Sequence, residues 1–127
     1  MTIGVIDTTV IIHLFRRNQA ALGWFGAQAE QLSLTPIAWL EVMHGAPGKN
    51  GQIACRTILD RFELLALTAA DQAWAMQMLA TFRLSHGIGI MDCLIASVCQ
   101  RLQVPLYTHN LRHMTVLLGS HLAIQPY

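Results

Sequence analysis

The chain contains a single lysine, Lys49, and charged residues fill only 12% of its 127 positions. With a formal net charge of +1, it has no broad basic field of the kind that gathers nucleic acid at long range. The three cysteines, Cys55, Cys93 and Cys99, are odd in number and form no CxxC pair. A disulfide framework is therefore excluded, and they read as reduced core residues of a cytoplasmic protein. The six histidines show no HExxH or related spacing, which removes the familiar zinc-hydrolase patterns. No charge-free apolar run is long enough to span a bilayer. The first residues lack a basic segment and a cleavage-type site, and Asp7 interrupts them early, so no signal peptide and no membrane association are expected. Repeats and low-complexity segments are absent too.

What the chain has in abundance is apolar side chains, 54% of the total. Disorder is thereby excluded, and the length suits one domain spanning 1–127 with a sizeable core. A partly apolar surface follows as well, which suits a partner or self-association. Against this background three of the seven acids are conspicuous. Asp7 lies within Ile3-Gly4-Val5-Ile6-Asp7-Thr8-Thr9-Val10, Glu41 within Pro36-Ile37-Ala38-Trp39-Leu40-Glu41-Val42-Met43, and Asp92 within Gly89-Ile90-Met91-Asp92-Cys93-Leu94. A carboxylate taken out of water is costly unless it is paired or coordinated. One acidic site holding a divalent metal explains all three together.

Read in order, Ile3–Ile6 is a short buried strand with Asp7 at its carboxyl end. Thr8 or Thr9 caps a helix from about Val10 to Arg17, and a second helix covers Ala20–Glu30. After a brief strand at residues 31–34, Thr35-Pro36 opens a helix carrying Ile37, Leu40, Glu41 and His44 on one stripe. Residues 45–51 read as a flexible loop, 53–62 as a helix and 63–67 as a strand. Thr68–Asp71 is a capping box that starts a helix to about Leu84. Beyond Gly87-Ile88-Gly89, a helix from Met91 to Leu102 is expected to bury Met91, Leu94, Ile95, Val98 and Leu102, with Asp92 in its first turn. Val104–Tyr107 is a strand, Thr108–Met114 a polar loop entering a short helix, and residues 122–125 a last strand. The alternation predicts an α/β fold, with about four to five short strands in a mostly parallel twisted sheet flanked by helices. Sites in such sheets lie beyond the carboxyl ends of the strands, where Asp7 and Thr108 both fall.

Four blocks in order and at suitable separations resemble the PIN-domain family, and within it the VapC-type toxin ribonucleases of toxin–antitoxin pairs. They are Val5-Ile6-Asp7-Thr8, Thr35 to Gly45, Gly87 to Ser97, and Thr108-His109-Asn110-Leu111-Arg112-His113-Met114. The resemblance implies a PIN-like fold and an endoribonuclease dependent on Mg²⁺ or Mn²⁺. Carried over by position, Asp7, Glu41 and Asp92 are the catalytic, metal-binding acids, and Asn110 ligates directly or through water. Thr8, Thr108, Asn110, Arg112 and His113 are assigned to the substrate. Asn110 and His113 occupy places that are acidic in some relatives. Partners implied are an RNA substrate, a cognate protein antitoxin and a second copy of the chain.

The chemistry is consistent with that reading, because a few carboxylates that leave positions open on Mg²⁺ suit phosphodiester hydrolysis. Plainer roles exist for each residue: a helix cap for Asp7, an arginine partner for Glu41, a dipole-favouring acid for Asp92. Thr108 and Asn110 equally suit turns, and His113 a structural place. Arg16, Arg17 and Lys49, like Arg112, are either phosphate contacts or ordinary solvated charges. Trp24, Trp39 and Trp74 read as core or interface anchors. A phosphoryl-accepting enzyme with Asp7 as nucleophile is disfavoured, since Thr9 replaces the second aspartate and no late lysine follows a strand. A PIN-like RNA-binding or protein-interaction module without catalysis is the non-enzymatic alternative.

Overall fold

A computed structural model describes residues 4–28 and 31–127, so the expected parts of the first strand at Ile3 and of the second helix at Ala29 and Glu30 lie outside the described residues. In chain order the elements are β1 (Gly4–Ile6), α1 (Thr8–Phe15), α2 (Gln19–Gly26), β2 (Leu32–Leu34), α3 (Pro36–Gly45), α4 (Gly48–Leu59), β3 (Glu63–Leu64), α5 (Ala69–His86), α6 (Ile90–Leu102), β4 (Leu106–Tyr107), α7 (Leu111–Leu118) and β5 (Ala123–Ile124). The strands form one sheet in the order β3-β2-β1-β4-β5, and each neighbouring pair is parallel.

That order places the site. From β1 the chain builds outward through β2 and β3, then returns to the other side of β1 for β4 and β5. The strand order reverses between β1 and β4, and sites in such sheets lie beyond the carboxyl ends of the strands at that point. Val5 pairs with Leu106 and Ile6 with Tyr107, so the next residues, Asp7 and Thr108, emerge side by side. Val5 and Ile6 are wholly buried, as are Val10, Ile11, Leu34 and Leu106. Each such aliphatic side chain contributes roughly 1.5–3 kcal/mol on leaving water.

Local chemistry explains most helix starts. Thr35 accepts from the Ala38 amide with Pro36 in the first turn, and Thr68 and Asp71 form the reciprocal box that opens α5. Asp71 is also gripped by Arg101 Nε at 2.9 and 3.1 Å, which ties α5 to α6.

Three expectations need correction. The cap of α1 is Asp7, whose Oδ1 accepts from the Thr8 amide; the hydroxyls of Thr8 and Thr9 turn instead to Glu41 and Asp7. The loop expected over residues 45–51 is mostly the first turn of α4, which begins at Gly48. There Gly51 is buried so tightly that a Cβ would meet the Pro47 ring at 2.7 Å, so packing overrides poor helix propensity. Finally, α6 buries Cys93, Ile95, Ala96, Ser97, Val98 and Cys99, whereas Met91 and Leu102 are 44% and 39% exposed.

Candidate metal centre

Each acid stands on a different element. Asp7 ends β1 and begins α1, and its amide donates to the Tyr107 carbonyl of β4 at 3.0 Å. Its carboxylate is 4% exposed. Oδ1 accepts from the Thr8 amide at 2.8 Å, and Oδ2 accepts from the Thr108 hydroxyl at 2.6 Å. The Thr9 hydroxyl donates a longer bond of 3.4 Å to Oδ2. Glu41 projects from the middle of α3, half-buried, and receives the Thr8 hydroxyl at Oε1, 2.8 Å away. Thr8 thus links the first two acids through its amide and its hydroxyl.

Asp92 lies in the first turn of α6, where Oδ2 accepts from the Gly89 amide at 3.1 Å. Two residues at the start of α7 complete its surroundings. The Asn110 amide nitrogen lies 3.2 Å from Oδ1, and His113 Nδ1 lies 3.0 Å from Oδ2. Asn110 also donates its backbone N–H to the Thr108 hydroxyl at 2.9 Å. A continuous chain therefore runs from Glu41 through Thr8, Asp7, Thr108 and Asn110 to Asp92.

Burial pushes the Asp7 carboxyl up to about 6, against the opposing hydrogen bonds from Thr108 and Thr8, and the charges of Asp92 and Glu41 push in the same direction as burial. The three acids therefore share one field. Among the described residues, the arginine ion pairs are elsewhere, Arg56 with Asp60 and Arg101 with Asp71. No group of three or more His, Cys, Asp or Glu side chains among those residues is close enough to hold an ion together. The donor chemistry nevertheless fits a hard divalent cation: carboxylates from three elements join one hydrogen-bond network, and among the described residues no lysine or arginine pairs with any of them, His113 alone lying beside Asp92.

Of the other residues singled out, Thr108 is fully buried and Thr8 and Asn110 half-buried within this network. Arg112 is exposed on the first turn of α7, and Arg16, Arg17 and Lys49 are exposed away from the three carboxylates' hydrogen bonds. Trp24 stacks at a tilt on Tyr107, and Arg56 lies over the Trp39 ring, as anchors do. Two largely apolar grooves share Glu41 in their walls. One, of about 680 Å³, runs past Leu40, Met43 and Met91; the other, of about 340 Å³, past Ile12, Phe15 and Arg16.

Sequence reasoning missed Thr9, Gly89 and His109. The His109 amide donates to the Thr9 hydroxyl at 3.1 Å, and its ring packs on His13 and Tyr127. Only Gly89 left a readable signal, its spacing of three from Asp92 being that of a helix cap and its acid.

The PIN domain family profile matches residues 4–115. The chain belongs to the PIN domain family. Three solved structures display the same PIN fold. A toxin–antitoxin complex from Klebsiella pneumoniae aligns with a TM-score of 0.78 at 22% identity, covering 98% of each chain. DNA-bound VapBC from Salmonella typhimurium gives 0.76 at 19% identity, over 94% of this chain and 95% of that one. VapBC2 from Rickettsia felis, bound to a DNA fragment from their promoter, gives 0.73 at 18% identity, over 98% of each. No curated protein matches the sequence. Among the described residues, no helix of this PIN domain is long and apolar enough to cross a membrane.

Proposed function

We propose that this PIN domain is a VapC-like toxin, an endoribonuclease dependent on Mg²⁺ or Mn²⁺ that hydrolyses RNA phosphodiester bonds and is restrained by a protein antitoxin. The observation that carries the reading is the hydrogen-bonded chain joining Glu41, Asp7 and Asp92, three acids from three elements with which, among the described residues, no lysine or arginine pairs. Asp7, Glu41 and Asp92 would hold the ion, with Asn110 assisting directly or through water. When bound, such an ion neutralises charge on the scissile phosphate and makes water a better nucleophile. The chain's own part is positional. Thr8 and Thr108 orient the carboxylates, and burial with the neighbouring charges raises the Asp7 carboxyl to about 6, so that an entering cation would relieve the cost of its ionised form. Asn110, His113 and exposed Arg112 border the place where the phosphate backbone would lie.

The antitoxin reading is supported by the likeness to toxin–antitoxin structures and by the apolar grooves that flank Glu41. An amphipathic helix seated there would lie against the acidic site. Exposed Leu40, Met76 and Ile90 add apolar surface for a homodimer. A soluble cytoplasmic setting accords with the reduced cysteines.

Purified protein incubated with RNA in Mg²⁺ or Mn²⁺ should cleave it, and chelation, Asp7→Asn or Asp92→Asn should abolish cleavage. Equal cleavage in chelator or in both variants would sink the proposal. A second reading, an RNA-binding or protein-interaction module without catalysis, is favoured by the lack of a closed ligand group among the described residues. Titration calorimetry with Mn²⁺ separates the two, because that module yields no heat beyond weak surface binding.

A further inference from the structure

Arg83 is hydrogen-bonded to none of the three acids, yet it is joined to one of them through a single peptide unit. It stands in the last turn of α5, and its Nη1 donates to the Gly87 carbonyl at 3.3 Å and to the Ile88 carbonyl at 3.2 Å. The N–H of that same Ile88–Gly89 peptide donates to Asp92 Oδ2 at 3.1 Å. The peptide is trans, so its C=O and N–H point in opposite directions. The guanidinium therefore lies at the oxygen end and the carboxylate at the hydrogen end. Each charge faces the pole of opposite sign, and hydrogen bonds strung in line polarise one another. A plain helix cap does not account for this. An arginine near a helix end takes the last carbonyls of its own helix, whereas Ile88 lies past the Gly87 cap, in the link to α6. Nor is the charge used in an ion pair: among the described residues, arginines pair with carboxylates at Arg56–Asp60 and Arg101–Asp71.

We infer that Arg83 is a positioning residue for the site: it holds the Ile88–Gly89 peptide so that the Gly89 N–H fixes the Asp92 carboxylate in place. The inference rests on the reading of Asp92 as a working acid and adds to it a residue that acts only through the backbone. The link needs such a hold. Gly87 adopts a left-handed φ of +69°, and Gly89 caps α6 without a side chain, so two of its three residues have the widest backbone freedom. Burial of Ile88 fixes where the link lies, while the tilt of the Ile88–Gly89 peptide is set by the bonds at its two ends. Arg83 also lines the groove that contains Asp92, which makes a direct contact with RNA phosphate the competing role.

The test uses the full, metal-free, ¹⁵N-labelled chain and reads amide hydrogen exchange at Gly89 by NMR, with Val98 in the middle of α6 as reference. Arg83→Met should speed exchange at Gly89 about tenfold and leave Val98 unchanged. Arg83→Lys, which keeps a cationic donor, should recover most of the protection. In wild type, which needs no variant to fold, the Arg83 guanidinium should rotate slowly, unlike that of exposed Arg17. Fast rotation in wild type, or a Gly89 amide unmoved by Arg83→Met, would overturn the inference. With RNA and Mg²⁺, Arg83→Met should lower kcat about tenfold with KM little changed. The opposite split, a raised KM at unchanged kcat with a shallower salt dependence, would make Arg83 a phosphate contact and overturn the inference too. Wild type that cleaves no RNA would defeat the ribonuclease reading, while exchange at Gly89 still decides this one.

Discussion

The Thr108 hydroxyl donates to Asp7 Oδ2 at 2.6 Å across 101 positions of sequence, joining the ends of the two adjacent strands β1 and β4. It is the shortest tie in the site, and its acceptor is the most buried of the three acids. Removing it has a definite sign. The bond favours the ionised carboxylate, so Thr108→Val moves the Asp7 carboxyl further above its present value of about 6. The acid limb of the pH–rate profile should shift to higher pH. The stranded Asn110 amide adds a stability loss of about 1–3 kcal/mol, readable by urea denaturation.

Asp7 itself opposes folding at neutral pH when no cation is bound. Its carboxyl is raised from 3.8 to about 6, so the folded chain holds the proton more tightly than the unfolded one. That stabilisation is complete below 3.8 and is lost as pH rises through about 6. The ionised form then costs on the order of 3 kcal/mol. Asp7→Asn should therefore melt higher than wild type in chelator at pH 7.5 while having no nuclease activity. Identical melting temperatures at pH 7.5 would contradict this account.

The pair Asp71–Arg101 has the opposite sign. Burial alone would raise the Asp71 carboxyl, but hydrogen bonds from Arg101 and Thr68 outweigh it and hold it below 3.8. The pair's contribution is present above 3.8 and fades as pH falls through the lower folded value. Arg101→Met leaves a carboxylate that is 2% exposed without its partner. Because the arginine is 35% exposed, the cost is discounted to about 1–3 kcal/mol at pH 7. The deficit relative to wild type should shrink in denaturation curves taken at acid pH.

Gly4 is required by its neighbour across the sheet. A Cβ there would fall 2.5 Å from Tyr107 Cε2, and that ring is itself stacked on Trp24. Gly4→Ala should destabilise by about 1–3 kcal/mol through overpacking. Pairing it with Tyr107→Val, which removes the ring, should recover part of that loss in a double-mutant cycle.

Much of this was readable in the chain itself. Asp7, Glu41 and Asp92 stood out because charge amid apolar residues has few inexpensive explanations, and Thr35-Pro36 and Thr68–Asp71 marked α3 and α5 through local capping chemistry. The start of α4 was not readable, because Gly48 and Gly51 argue against a helix until the Pro47 ring is seen packed on Gly51. The inner face of α6 was hidden for a related reason. Cys93, Ala96 and Cys99 are too small to stand out in a hydrophobic pattern, while the larger Met91 lies exposed at the end of the helix. The His109–Thr9 bond spans 100 positions, a separation at which periodicity carries no information.

The three acids are not anchored alike. Asp7 and Asp92 are each gripped by a backbone amide within their own turn, whereas Glu41 is held through a single side-chain hydroxyl. Fixed contacts are thereby unequal: two of the acids are set by the backbone of the scaffold, and the third only by Thr8. Were a cation held as proposed, differences in its radius would be taken up first in the torsions of Glu41, the arm with the fewest fixed contacts.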